Sequence, residues 1–255
     1  MKSIILCEGS TDYQLLQYFM RKANGWSDGN SVCVISNQKA REFVKDDKKL
    51  VIAACGGCSS LVSVGLNDIL FINKYADSTN DEFYDNIVIV TDHDDENVGS
   101  NLESEIKNSF SENAVIFDDV TVNHWSDCNI STFDGEKKIK LLPLVIPFKE
   151  EGAMETFLLN SYKNQNPEEA FIVEDSVDFA KKIFDEIKRN DSLQAYPQGR
   201  KIETGRRYLT KAKFDVFFSI RTPAEQFNQR QEILKNIPWE QYESVQVAFK
   251  ELAKL

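Results

Sequence analysis

The stretch Ile87–Asn97, IVIVTDHDDEN, decides the fold. Four β-branched residues and a threonine run into Asp92, His93, Asp94, Asp95 and Glu96, so an apolar segment ends by delivering four carboxylates to one spot. An apolar run this short, bounded by polar residues, reads as a strand buried on both faces. The acidic run then marks where the chain leaves the sheet.

Working outward, the same plan recurs. SIILC (Ser3–Cys7) is a second buried strand, followed by STDYQLLQYFMRKANG with Leu15, Leu16, Phe19 and Met20 at helical spacing. Ser10 or Thr11 is the expected cap of that helix, and Gly25 its close. KLVIAACGG (Lys49–Gly57) leads through a glycine turn into the helical run SSLVSVGLNDILFINKYA. NLESEIKNSF is a further helix, and NAVIF and IKLLPLVIPF (Ile139–Phe148) are further strands. Strands alternating with helices predict an α/β fold, a mostly parallel sheet flanked by helices. From about Gly152 the pattern turns helical, in AMETFLLNSY, SVDFAKKIFDEIKRN, GRRYLTKAKFDVFFSI and VQVAFKELAKL. The expected division is an α/β core over 1–148 and a helical C-terminal extension over 149–255.

Composition bounds the function. With 255 residues, 42% of them hydrophobic, the chain can build a core without staples. Its five cysteines form no regular disulfide framework, and no 18-residue apolar stretch or signal-like leader is present, so a cytoplasmic protein is expected, with no membrane partner. A net charge of −11 argues against a general coat for nucleic acid. Locally the balance reverses: Lys188 to Arg221 holds nine basic residues, Arg200, Lys201, Arg206 and Arg207 among them, against Asp191, Glu203 and Asp215. Tyr196 and Tyr208 interleave with them, as a backbone-tracking and base-stacking surface requires.

In open α/β sheets functional groups gather at the carboxyl ends of parallel strands. Glu8 follows the first strand and Asp92 the third, and two such acids at one edge repel unless a cation is present. Hard oxygen donors without a histidine and cysteine cluster favour Mg²⁺ or Mn²⁺. Asp92 and Asp94, two apart in an extended segment, point to the same side and are placed to share the ion. Each signal has a plainer alternative. Glu8 and Asp12 also suit a helix N-terminus, DHDDE also suits a solvated loop, and Lys211 and Lys213 also suit an exposed helix face. Cys55-Gly-Gly-Cys58 lacks the second pair a zinc site needs.

The order Glu8-Gly9 with Asp12, then Gly56-Gly57, then Asp92-x-Asp94 resembles the Toprim domain of topoisomerases, primases, ribosomal RNA maturases and nucleases of the OLD (overcoming lysogenization defect) type. The resemblance covers about residues 1–148. It continues more weakly in EEGAMETFLLN, which looks like the acidic helix after the last Toprim strand and implies Glu155 as an extra metal ligand. RRYLTKAKFDVFFS looks like the lysine-bearing helix, implying Lys211 first and Lys213 second. No G-x-x-x-x-G-K-[ST] is present. The resemblance therefore implies a stand-alone Mg²⁺- or Mn²⁺-dependent nuclease acting on DNA or RNA, of the kind used as an anti-phage defence effector. Glu8, Asp92, Asp94 and Glu155 would hold metal, Asp12 would orient Glu8 or a bound water, and Lys211 would offset transition-state charge. The alternative it leaves open is a dormant effector or binding module held by a separate P-loop ATPase; a homodimer is compatible with either.

Overall fold

The computed structural model describes residues 1–35, 38–76, 82–148, 152–190, 205–225 and 234–255. They form two compact units, Met1–Gly152 with Ala248–Leu255, and Ala153–Val247. The last eight residues, read from the sequence as part of the helical extension, thus belong with the first unit.

That unit is built on eight strands: β1 (Lys2–Cys7), β2 (Ser27–Val32), β3 (Ala40–Lys45), β4 (Lys48–Ala54), β5 (Asn86–Asp92), β6 (Val115–Phe117), β7 (Ser126–Thr132) and β8 (Gly135–Ile146). Their order is β2-β3-β4-β1-β5-β8-β7-β6. The pairs β4–β1, β1–β5 and β5–β8 are parallel. The flanking pairs are antiparallel. The fold is therefore α/β, with a parallel four-strand centre and an antiparallel extension on each side. β1, β4 and β5 occupy the centre because their unbroken apolar runs can be buried on both faces.

Alternate residues face opposite layers. Ile4 and Leu6, Val51 and Ala53, and Ile87 and Ile89 share a core with Leu61, Leu66, Ile69 and Leu70, and with Leu102, Ile106 and Phe110. These partners come from the π-helical stretch Leu61–Leu66, which follows the short α2 (Cys58–Ser60), and from α3 (Asn67–Tyr75) and α4 (Val98–Glu112). Gly65 permits this close approach: a Cβ there would lie 2.8 Å from Cys55 Sγ and 3.3 Å from Leu6 Cδ1. On the other face lies α1 (Ser10–Asn24), packed on β4 with Leu15, Leu16, Phe19 and Met20 buried. The C-terminal tail joins that face, Phe249 stacking on Phe19 at 4.9 Å and Leu255 O accepting from Lys48 Nζ at 3.0 Å.

The cap of α1 differs from the expectation of Ser10 or Thr11. Gly9 occupies the cap position, and Asp12, in the first turn, accepts the Gly9 N–H at 2.9 Å. An acidic side chain at this position reaches back to the exposed amide better than a hydroxyl at the start of the turn. Gly25 closes the helix as expected.

The second unit is helical: α5 (Met154–Gln165), α6 (Ala170–Arg189) and α7 (Arg206–Arg221) pack on one another, and the unit ends at Val247 within α8 (Glu243–Ala248). Leu158, Tyr162, Phe214, Phe217 and Trp239 form its buried centre, with Tyr162 against Phe217 and Phe214 against Phe218, each at 4.8 Å. No helix among the described residues is long and apolar enough to cross a membrane.

Candidate active site at the carboxyl edge of the sheet

The chain leaves β1 toward α1 on one face and leaves the adjacent β5 toward α4 on the other. Such a divergence opens a crevice outside the carboxyl ends of the two strands, and Glu8 and Asp92 stand at its two sides. Backbone bonds fix Glu8: Cys55 N–H reaches Cys7 O at 2.8 Å and Gly56 N–H reaches Glu8 O at 3.0 Å. The turn that allows this needs glycine, with φ of +85° at Gly56 and +138° at Gly57. The Glu8 side chain crosses to β5, where its Oε1 accepts the Asp92 N–H at 3.0 Å and the hydroxyl of buried Thr91. Asp12, holding the Gly9 amide, stiffens the bond next to Glu8.

β5 ends under equally tight control. His93 donates its N–H to Ile146 O at 2.9 Å and accepts from Gly152 N–H at 2.7 Å, and its Nδ1 lies 3.0 Å from Pro147 O. That contact favours the tautomer with the proton on Nδ1 and leaves Nε2 as the basic nitrogen. Asp94 is exposed beyond it. Asp95 turns the chain into α4, its Oδ1 accepting the Asn97 N–H at 2.8 Å.

The acids act on a common electrostatic neighbourhood. Cys58, exposed at the start of α2, has its thiol pushed up by partial burial and then by the charges of Glu8, Glu105, Asp94 and Asp92. Cys7, fully buried, is pushed up by desolvation and then by Asp12, Cys55, Glu8 and Asp92. Glu8, Asp92 and Asp94 thus share one edge. By chemistry this set of hard carboxylate donors fits Mg²⁺ or Mn²⁺. Among the described residues no three histidine, cysteine, aspartate or glutamate side chains stand in a ligating arrangement, and Glu8 is turned onto Thr91 and the Asp92 amide.

Glu155 and Lys211 belong to the helical unit. Glu155 is buried in the first turn of α5. Lys211 is half-buried on α7, and its side chain makes no hydrogen bond or ion pair among the described residues. Lys213 is held below its ordinary value by desolvation and by Lys181 on α6, against the opposing pull of Asp178. The basic segment is partly committed to internal pairs, Arg189 with Glu186 at 2.8 Å and Arg221 with Glu169 at 2.7 Å. Tyr196, Arg200 and Lys201 lie outside the described residues, as does the side chain of Arg207. His93 went unrecognised in the sequence, where only its place between two aspartates marks it.

The molecule is thus an α/β protein with an acidic edge at the point where its connections diverge. It belongs to the family described as protein of unknown function DUF3226, whose model matches residues 2–246. Among solved structures it is similar to the crystal structure of hypothetical protein PH0156 from Pyrococcus horikoshii OT3. Identity there is 14%, coverage 99% of this chain and 98% of that chain, and the TM-score 0.54. The likeness establishes the fold. Among curated proteins none matches the chain.

Proposed function

We propose that the chain is a Toprim-like, OLD-type nuclease that hydrolyses phosphodiester bonds of DNA or RNA with Mg²⁺ or Mn²⁺. The observation that supports the reading is the placing of Glu8 and Asp92 side by side at the carboxyl ends of adjacent parallel strands, Glu8 Oε1 accepting the Asp92 N–H, with Asp94 following two residues on. Glu8, Asp92 and Asp94 would hold the ion, which when bound supplies Lewis-acid stabilisation of phosphate charge. Glu8 is anchored on both sides, through its carbonyl to Gly56 and through Oε1 to the Asp92 amide, so its carboxylate is held in place at the edge. Asp12 acts as a positioning residue through the Gly9 amide. The sequence resemblance, rather than geometry, assigns Glu155 as a further ligand and Lys211 as the cation opposing transition-state charge.

The test is a pair of measurements. Titrating Mg²⁺ or Mn²⁺ into metal-free protein raises its melting temperature, because a ligand of the folded state alone stabilises it; Glu8→Gln combined with Asp92→Asn abolishes the rise. Wild type cleaves DNA or structured RNA in Mn²⁺ and the double variant does not. Absence of both the melting shift and cleavage overturns the assignment.

A further inference from the structure

A cavity of about 340 Å³ opens within the helical unit between the end of α5, the end of α7 and segment 236–242. Its volume falls at the small end of small-molecule sites. Arg221 lines it in a defined posture. Its Nε donates to the Tyr162 hydroxyl and to Glu169 Oε2, each at 2.7 Å, and the Tyr162 hydroxyl donates to the same carboxylate oxygen. Tyr162 is buried, and burial followed by the Glu169 bond pushes its phenol up to about 12, which keeps it a proton donor. One edge of the guanidinium is therefore locked, while Nη1 and Nη2 take no hydrogen bond among the described residues. The side-chain amides of Gln165 and Gln241 line the same cavity and are likewise unengaged among the described residues. Tyr242, held by Asn166 Nδ2 at 3.0 Å, supplies an aromatic wall.

We propose that this cavity binds a phosphate monoester of mononucleotide size. The planar Nη pair matches two phosphate oxygens at once, the two glutamines donate beside it, and the tyrosine wall accepts a flat apolar group. The proposal is independent of the nuclease reading, since it concerns other residues and is tested without divalent metal or polymer.

The experiment is calorimetric titration of the full chain in a chelator with AMP, inorganic phosphate and succinate, alongside Arg221→Lys and the pair Gln165→Leu with Gln241→Leu. AMP is expected to bind in the sub-millimolar range and inorganic phosphate more weakly. Arg221→Lys, which keeps the charge facing Glu169 but loses the fork, weakens AMP binding by at least about tenfold. The glutamine pair, on the cavity wall, weakens it by several-fold with an unchanged melting temperature, and carries the test if Arg221→Lys fails to fold. The proposal is overturned if neither phosphate compound binds saturably up to about 10 mM. It is equally overturned if the variants bind like wild type, or if succinate binds as tightly as AMP.

Discussion

Cys58 offers a direct reading of the charge gathered at the strand ends. It and Cys33 are exposed thiols, whereas Cys7, Cys55 and Cys128 are buried. Beyond its partial burial, Cys58 is held up by Glu8, Glu105, Asp94 and Asp92, in that order, so near neutral pH little of it is thiolate. Glu8→Gln removes one negative charge while keeping an oxygen for the Thr91 hydroxyl and the Asp92 amide. Losing a nearby negative charge lowers the thiol's pKa and so raises the thiolate fraction. A less basic thiolate is also a weaker nucleophile, with a Brønsted slope of about 0.4–0.5, so about half of that gain on a logarithmic scale survives as faster labelling. The assay is iodoacetamide labelling at pH 7.5 read site by site by mass spectrometry, with Cys33 as the internal control. Asp94→Asn should accelerate Cys58 in the same direction and Glu105→Gln should serve as the positive control. Mg²⁺, too hard to take the thiolate itself, should accelerate wild type and leave Glu8→Gln with Asp92→Asn unchanged. If Glu105→Gln speeds labelling while Glu8→Gln and Asp94→Asn match wild type, the shared acidic edge is refuted.

Two further outcomes follow from other parts of the molecule. Fully buried Asn73 donates to Tyr84 O at 2.9 Å and accepts from Tyr84 N–H at 2.7 Å; Asn73→Ala strands both backbone groups and costs about 3 kcal/mol, a melting temperature lower by roughly 6–12 °C, and an unchanged melt would show that the Tyr84 N–H and carbonyl find other partners. On the proposed nuclease reading, Lys211→Ala and Glu155→Ala are each expected to slow single-turnover cleavage by on the order of 10²-fold with affinity within a few-fold, and Lys213→Ala to do much less; full activity of the first two variants would confine the proposed chemistry to the acids of the sheet.

The sequence made the centre of the sheet legible because β1, β4 and β5 are uninterrupted apolar runs, and only a strand covered on both sides tolerates that. The outer strands β2 and β7 left no such trace. Ser27–Val32 is largely polar and exposed, and Ser126–Thr132 is largely polar with only Cys128 and Ile130 buried, and they are strands because each pairs with a neighbour, a fact set by distant residues rather than by their own pattern. The same division holds at the site. Glu8 and Asp92 were readable because the end of a parallel strand fixes where the next side chain emerges. His93 was not, since its hydrogen bond to the Pro147 carbonyl depends on β8 lying alongside β5, 54 positions along the chain. Asp12 was read with two meanings, and its bond to the Gly9 amide realises the helix-end one while still bearing on its neighbour Glu8.

The two margins of the sheet constrain how this protein can meet another chain. On one side β2 is irregular between Asp28 and Ser31, presses Gly29 against the Glu42 carbonyl, which a Cβ would approach to 2.6 Å, and ties Asp28 to Arg21 and Arg41. On the other side β6 is three residues long. Neither margin offers a long, regular row of open amides and carbonyls onto which a foreign strand could zip. The sheet therefore ends where it ends, resisting growth into fibres, and recognition of any partner falls to side chains on the faces and at the strand ends rather than to the backbone.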